Sequence, residues 1–293
     1  MQQTADQLIK VLALDKQVRA YLLRNTNTVN EAIRRHDLWP TATSVLGKVL
    51  SMGQMMGGML KGDQALTLKL NGNGQLGNII VDANSKGGVR GYVDFPHVNF
   101  INKDGFFDAM GIGQDGFLDV IKDLKMKDLF TSSIAITGDI ARDFTYYFME
   151  SEQTNTAIIL AIQVDVDNTC LLSGGLLIQL LPNATSKTID YLESQLSELP
   201  EPSRLFKESS ETILASLFGE AYEIIDSMPV SFLCPCSKEQ FARSLLTLGA
   251  KELTTMKEED HKIDIVCHYC NKTYHFDEQD IQQLIKEITN EKK

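Results

Sequence analysis

Cys234-Pro235-Cys236-Ser237, followed thirty residues later by Cys267-His268-Tyr269-Cys270, decides how the end of this chain must be built. Four of the five cysteines fall here, as two close pairs separated by an insert. Two such pairs suit a four-thiolate zinc site, one ion per chain, tetrahedral with Zn–S of about 2.3 Å. The surrounding segment, residues 232–293, has few large apolar side chains, and units this small usually need a metal or disulfides. The one-residue gap in Cys234-x-Cys236 is unusual, because common zinc ribbons use two Cys-x-x-Cys knuckles. Such a pair can ligate zinc, and both pairs can also close as local disulfides. The spacing leaves a permanent staple and a reversible switch both open.

Geometry sets what a switch would do. Two sulfurs on one tetrahedral zinc lie about 3.8 Å apart, whereas a disulfide needs about 2.05 Å. The two states exclude each other, so oxidation ejects the metal. Structural zinc contributes on the order of 10 kcal/mol, more than so small a core replaces, and its loss is expected to unfold the unit. Zinc-bound sulfur is a thiolate, the oxidisable form, and Cys236 stands beside the start of a helix.

Around the cysteines, Ser237-Lys238-Glu239-Gln240 is a capping-box pattern opening a helix with Phe241, Leu245 and Leu248, ended by Gly249. Residues 263–266 and 274–276 read as strands flanking Cys267 and Cys270. Asp277 is placed to cap a last helix with the face Ile281, Leu284, Ile285 and Ile288. This makes residues 232–293 a small C-terminal zinc-binding α+β domain. His268, inside the second cysteine pair, reads as an exposed bystander, as do His261 and His275.

Outward from there, residues 182–231 read as a helical middle linker punctuated by Pro182, Pro200, Pro202 and Pro229. Nine acidic residues against three basic ones give residues 181–230 a charge of −6 out of −11 for the chain. Leu192, Leu196, Leu205, Ile213, Leu214, Leu217, Ile224 and Ile225 sit among that charge, so these helices would be held by docking onto another surface more than by their own core.

Residues 1–181 read as an N-terminal mixed sheet-and-helix domain, making the whole an α+β protein. Residues 8–23 form a hairpin turning near Asp15-Lys16. Residues 27–35 are helical, and a longer helix runs from Pro40 to about residue 60. Strands follow at 66–70, 79–82, 89–94, 117–121 and 133–137, then a helix from near Asp139, then strands at 157–166 and 170–181. Met52, Met55, Met56 and Met59 with Gly53, Gly57 and Gly58 could form an adaptable surface; core packing is the better reading. Cys170, alone on an apolar strand, reads as a buried thiol. Residues 72–77 and 111–116 both spell G-x-G-x-x-G, but strand-like sequence follows each, so both read as hairpin turns and not as a dinucleotide site.

Hydrophobic residues at 43% and charged residues at 23% are ordinary for a globular protein. No run approaches the roughly 20 apolar residues of a membrane span, and no signal peptide is legible at the start, which points to the cytoplasm, where thiols stay reduced. A net charge of −11 opposes general binding to nucleic acid or anionic membrane.

These features converge on a known family. Residues 60–63 (Leu-Lys-Gly-Asp), 80–84 (Ile-Val-Asp-Ala-Asn), 143–147 (Asp-Phe-Thr-Tyr-Tyr) with 151–153 (Ser-Glu-Gln), 174–176 (Gly-Gly-Leu) and the cysteine pattern resemble the 33 kDa chaperonin family of redox-regulated bacterial heat-shock chaperones. The resemblance implies a non-enzymatic, ATP-independent holdase. Its reduced form, largely inactive, binds zinc through Cys234, Cys236, Cys267 and Cys270. Oxidation forms Cys234–Cys236 and Cys267–Cys270 disulfides and releases zinc, and the protein then holds unfolding clients, often as a homodimer. Two other readings are weaker. A nucleic-acid-binding zinc ribbon is opposed by eleven acidic against nine basic residues in 232–293. A thiol–disulfide oxidoreductase would place its Cys-x-x-Cys at a helix N-terminus, not between strands.

Overall fold

The computed structural model describes residues 5–102, 105–106 and 108–290, and the chain divides after Leu233 into two compact units.

The first unit grows from the expected hairpin. Strands Gln7–Ala13 and Val18–Arg24 pair antiparallel, and Leu14, Asp15 and Lys16 turn the chain in the left-handed region. They form the middle of a five-stranded antiparallel sheet in the order Thr156–Val164, Cys170–Leu180, Val18–Arg24, Gln7–Ala13, Tyr222–Pro229. A six-stranded sheet runs Ser231–Phe232, Gly88–Val93, Asn78–Asn84, Ala65–Gly72, Gly116–Asp123, Phe130–Ala135. Only its first pair is parallel.

The helix Pro40–Gly57 packs against strands of both sheets. Sixteen of its eighteen residues are buried, including the polar Thr41, Thr43, Ser44, Ser51 and Gln54. Met52, Met55 and Met56 are core, as expected. Its glycines let it approach both sheets. A Cβ on Gly47 would stand 2.5 Å from Ile162 Cδ1 of one sheet, and one on Gly53 2.9 Å from Val81 Cγ1 of the other. The amide of Asn25, itself buried, donates to Ser51 Oγ and Gln54 Oε1, both at 2.9 Å, so the helix's few polar groups are satisfied.

On its other face the five-stranded sheet carries Ile9, Val11, Ala20, Leu22, Leu176 and Ile178, all buried. They lie beneath Leu192, Leu205, Phe206, Ile213, Leu214, Leu217 and Phe218 from helices Ser186–Ser197, Pro202–Leu205 and Ser210–Phe218 and the residue after the second of them. The helices of the middle segment therefore do dock on another surface. The reading of 182–231 as helical throughout is corrected: Tyr222–Pro229 is an edge strand on Gln7–Ala13, with a bulge opposite Lys10 and Val11. Ile225 is the extra residue of that bulge, and Ile224 and Ile225 are each 47% exposed at this edge, not part of an apolar helix face.

Two smaller expectations meet mixed outcomes. Residues 72–77 are a hairpin turn between Ala65–Gly72 and Asn78–Asn84, but residues 111–116 join the short helix Asp108–Ile112 to Gly116–Asp123, so the second is not a hairpin. Neither opens a helix. Cys170 is buried, and that burial pushes its thiol up to about 12.

The second unit holds helices Lys238–Leu246, Ala250–Asp260 and Glu278–Asn290 and the hairpin Lys262–Val266 with Thr273–Asp277. Ser237 Oγ accepts from the Gln240 amide at 3.2 Å, and Asp277 Oδ1 accepts from the Gln279 and Asp280 amides at 2.9 Å. Both caps fall where the sequence puts them. Gly249, at φ 87°, closes the turn after Lys238–Leu246, its amide donating to Leu246 O at 3.2 Å, and also opens Ala250–Asp260. That helix escapes sequence reading because Leu253 is its one buried side chain, too little for an apolar period. Among the described residues, no helix is long and apolar enough to cross a membrane.

Candidate metal centre

Cys234 follows directly on Leu233, whose amide donates to Val89 O at 2.7 Å. From Cys234 the chain runs through Pro235 and Cys236 to the Ser237 cap. Cys267 follows the strand Lys262–Val266, and the turn after it folds back on itself. Its carbonyl accepts from the Cys270 and Asn271 amides at 3.3 and 2.7 Å, its own amide donates to Lys272 O at 2.9 Å, and Asn271 takes a left-handed φ of 55°. This turn presents the Cys267 and Cys270 sulfurs together.

All four sulfurs lie within 4.8 Å of one another, an arrangement that could hold a metal ion. Cys234 Sγ stands 3.8 Å from Cys267 Sγ, and Cys236 Sγ 3.4 Å from Cys270 Sγ. Both of these separations run between the two sequence pairs. They are far longer than the about 2.05 Å of a disulfide and near the about 3.8 Å expected across a tetrahedral zinc. The donor set, four soft thiols, fits a metal that prefers sulfur.

The cluster divides its charge unevenly. Burial raises the Cys236 thiol, but hydrogen bonds from the Tyr274 hydroxyl and from the Cys270, Cys234 and Cys267 thiols outweigh it and hold Cys236 at about 7. Burial, reinforced by the neighbouring sulfurs, pushes Cys267 up to about 12, and burial raises Cys270 as well. The Cys236 thiolate forms readily, whereas Cys267 and Cys270 keep their protons until a cation binds.

Sequence reading missed Tyr274. Its hydroxyl lies 2.7 Å from Cys236 O and 3.2 Å from Cys236 Sγ, its one hydrogen within reach of either acceptor. Its ring rests on Phe241 at 5.1 Å. The signal was available: alternation along Thr273–Asp277 buries Tyr274 with Phe276, and a buried tyrosine hydroxyl needs a partner. His261 and His275 point away to Glu278 and Asp264, each at 2.7 Å, and His268 is exposed. None of the three belongs to the sulfur cluster.

Residues 6–277 match the family described as Hsp33 protein. The chain belongs to the Hsp33 family. Curated relatives carry the name 33 kDa chaperonin. The Geobacillus sp. (strain WCH70) protein is 44% identical, covering 96% of this chain and 97% of its own. The Bacillus subtilis (strain 168) protein is also 44% identical, over 97% and 99%. The crystal structure of the 33 kDa chaperonin from Thermotoga maritima, a heat shock protein 33 homologue, superposes with a TM-score of 0.91 at 32% identity. It covers 98% of this chain and 100% of that one. Membership in the Hsp33 family makes this protein a chaperone and not an enzyme, and the α+β architecture is the family's.

Proposed function

We propose that the protein is a redox-regulated, ATP-independent holdase that binds unfolding clients once Cys234–Cys236 and Cys267–Cys270 disulfides have formed. The observation that carries this reading is the sulfur geometry: all four within 4.8 Å, with cross-pair separations of 3.8 and 3.4 Å. Cys234, Cys236, Cys267 and Cys270 would hold one zinc ion in the reduced state. Bound there, zinc supplies a structural cross-link and keeps all four sulfurs as thiolates. Two equivalents of a two-electron oxidant such as peroxide remove four electrons from the four sulfurs, forming two S–S bonds while the oxidant is reduced. Paired with each other, the sulfurs no longer offer thiolate ligands. The C-terminal unit then loses its staple, and the middle segment lifts from the sheet face it covers.

Three features support this order of events. The C-terminal unit has a small core. Its first cysteine lies one peptide bond from the last residue of the first unit. The middle segment covers a large apolar face, which becomes the surface that holds clients. We further propose that the protein works in the cytoplasm, dimerises when oxidised, and binds neither nucleic acid nor membrane.

The test is a peroxide titration of the full chain, following zinc release, free thiols, helicity and suppression of client aggregation together. All four are expected to change over one range of oxidant. Zinc retained by fully oxidised protein, or equal holding by the reduced form, would sink the reading.

A further inference from the structure

The outer face of the five-stranded sheet has one gap in its apolar covering. Ala161, Gly174 and Arg24 lie side by side in register across three strands. The next rows along are filled by Ile159, Leu176 and Leu22, then by Ala157, Ile178 and Ala20. A small residue, a glycine and a cation in one row leave a socket.

Phe206 fills it. A Cβ on Gly174 would stand 2.6 and 2.7 Å from Phe206 Cδ1 and Cε1, so the ring lies directly on the glycine, 1% exposed. Glycine in a strand interior commonly marks such a close approach. Arg24 then grips the chain that carries the ring. Its Nη1 donates to Phe206 O at 2.9 Å, its Nε to Ser210 Oγ at 3.1 Å, and its Nη2 to Glu208 O. Two of these three acceptors are main-chain carbonyls, which every polypeptide has. The ring is the feature that the socket itself selects.

We infer that the Gly174–Arg24 socket is a binding site for client segments that carry an aromatic side chain, and that Phe206 is its resting occupant. The inference rests on the reading above that the middle segment leaves the sheet on activation. The chain's own segment stands in for a client. It offers what an unfolding protein offers: an aromatic ring that has lost its core, beside carbonyls that have lost their partners.

The experiment uses the full-length, oxidised, metal-free protein. The probes are a fluorescent peptide copying residues 202–211 and the same peptide with Phe206→Ala. The phenylalanine peptide is expected to bind at least about tenfold more tightly, the share of one buried aromatic ring. Gly174→Ala in the protein places a methyl where the ring sits and is expected to erase that difference. Arg24→Gln is expected to weaken both peptides alike, because it reads the main chain. Equal affinity of the two peptides for the unaltered protein, or full discrimination by Gly174→Ala, would overturn the inference. If Gly174→Ala does not fold, a peptide with a photoreactive benzophenone at the Phe206 position decides the matter on the unaltered protein. Cross-links on Val18–Arg24 or Cys170–Leu180 support the socket, and cross-links confined elsewhere refute it. An oxidised protein that holds an unfolded test protein yet does not discriminate the peptides defeats the socket alone. One that holds neither defeats the activation reading too.

Discussion

The two ends of the proposed switch are held together in opposite ways. In the C-terminal unit the buried apolar side chains are Leu245, Leu253, Tyr274, Phe276, Ile281 and Leu284, with Cys267 and Cys270 beside them. Four sulfurs meet there at one point, and under the proposed reading the order of the unit depends on the metal they would hold. The middle segment has no such point: its order comes from Leu192, Leu205, Phe206, Ile213, Leu214, Leu217 and Phe218 spread over a sheet face. A point attachment fails all at once when its chemistry changes, whereas a spread one loosens in proportion to the area lost. A sensor suits the first arrangement and a graded effector the second.

Removing the metal tests the contrast hardest. Chelation of the reduced protein is expected to cost the C-terminal unit on the order of 10 kcal/mol. Hydrogen exchange would show this as loss of protection across residues 238–290, with the strands of the six-stranded sheet still protected. Protection persisting in the C-terminal unit would mean that its own core suffices.

Phe206→Ala is the matching test of the spread attachment. Truncating a fully buried phenylalanine costs about 3–5 kcal/mol, here charged to docking of the segment. Exchange should quicken over residues 186–218 while the four thiols still hold metal, and the reduced form should gain holding activity. Next in size, Ser237→Ala removes the cap on Lys238–Leu246, worth about 1 kcal/mol. A thermal melt of the zinc-loaded protein should register that loss in the C-terminal unit.

Smallest is Glu31→Gln. Hydrogen bonding from Arg34, then Arg35, outweighs partial desolvation and holds the Glu31 carboxyl at about 2. A depressed folded-state value means that the stability is present above the unfolded value, about 4.3, and is lost as pH falls through 2. Solvent screening keeps the effect below about 1 kcal/mol. Because Glu31 touches neither attachment, denaturant melts of both forms should shift equally and holding should not change.

What the sequence made legible was local. The cysteine spacing, the Ser237 and Asp277 caps and the Asp15-Lys16 turn all depend on residues within a few positions of one another. What it hid was decided at a distance. Tyr222–Pro229 is a strand because Gln7–Ala13 offers it a ladder from more than 200 residues away, and its adjacent isoleucines fit helical spacing as well as a strand edge. Gly174, Arg24 and Phe206 form a socket only after two strands and the middle segment have met, so no single window contains it. Tyr274 lies between these cases, close in sequence to Cys270 but bonded across the turn to Cys236.

The helix Pro40–Gly57 sets a limit on how far the molecule can open. It has no side it could turn to water, and Gly47 and Gly53 press it against neighbours on both flanks. Unlike the docked segment outside the sheet, it cannot peel away one contact at a time. Under the proposed reading, loosening therefore stops at this keel, and a chaperone that works by partly coming apart would keep a part of itself that needs no rescue.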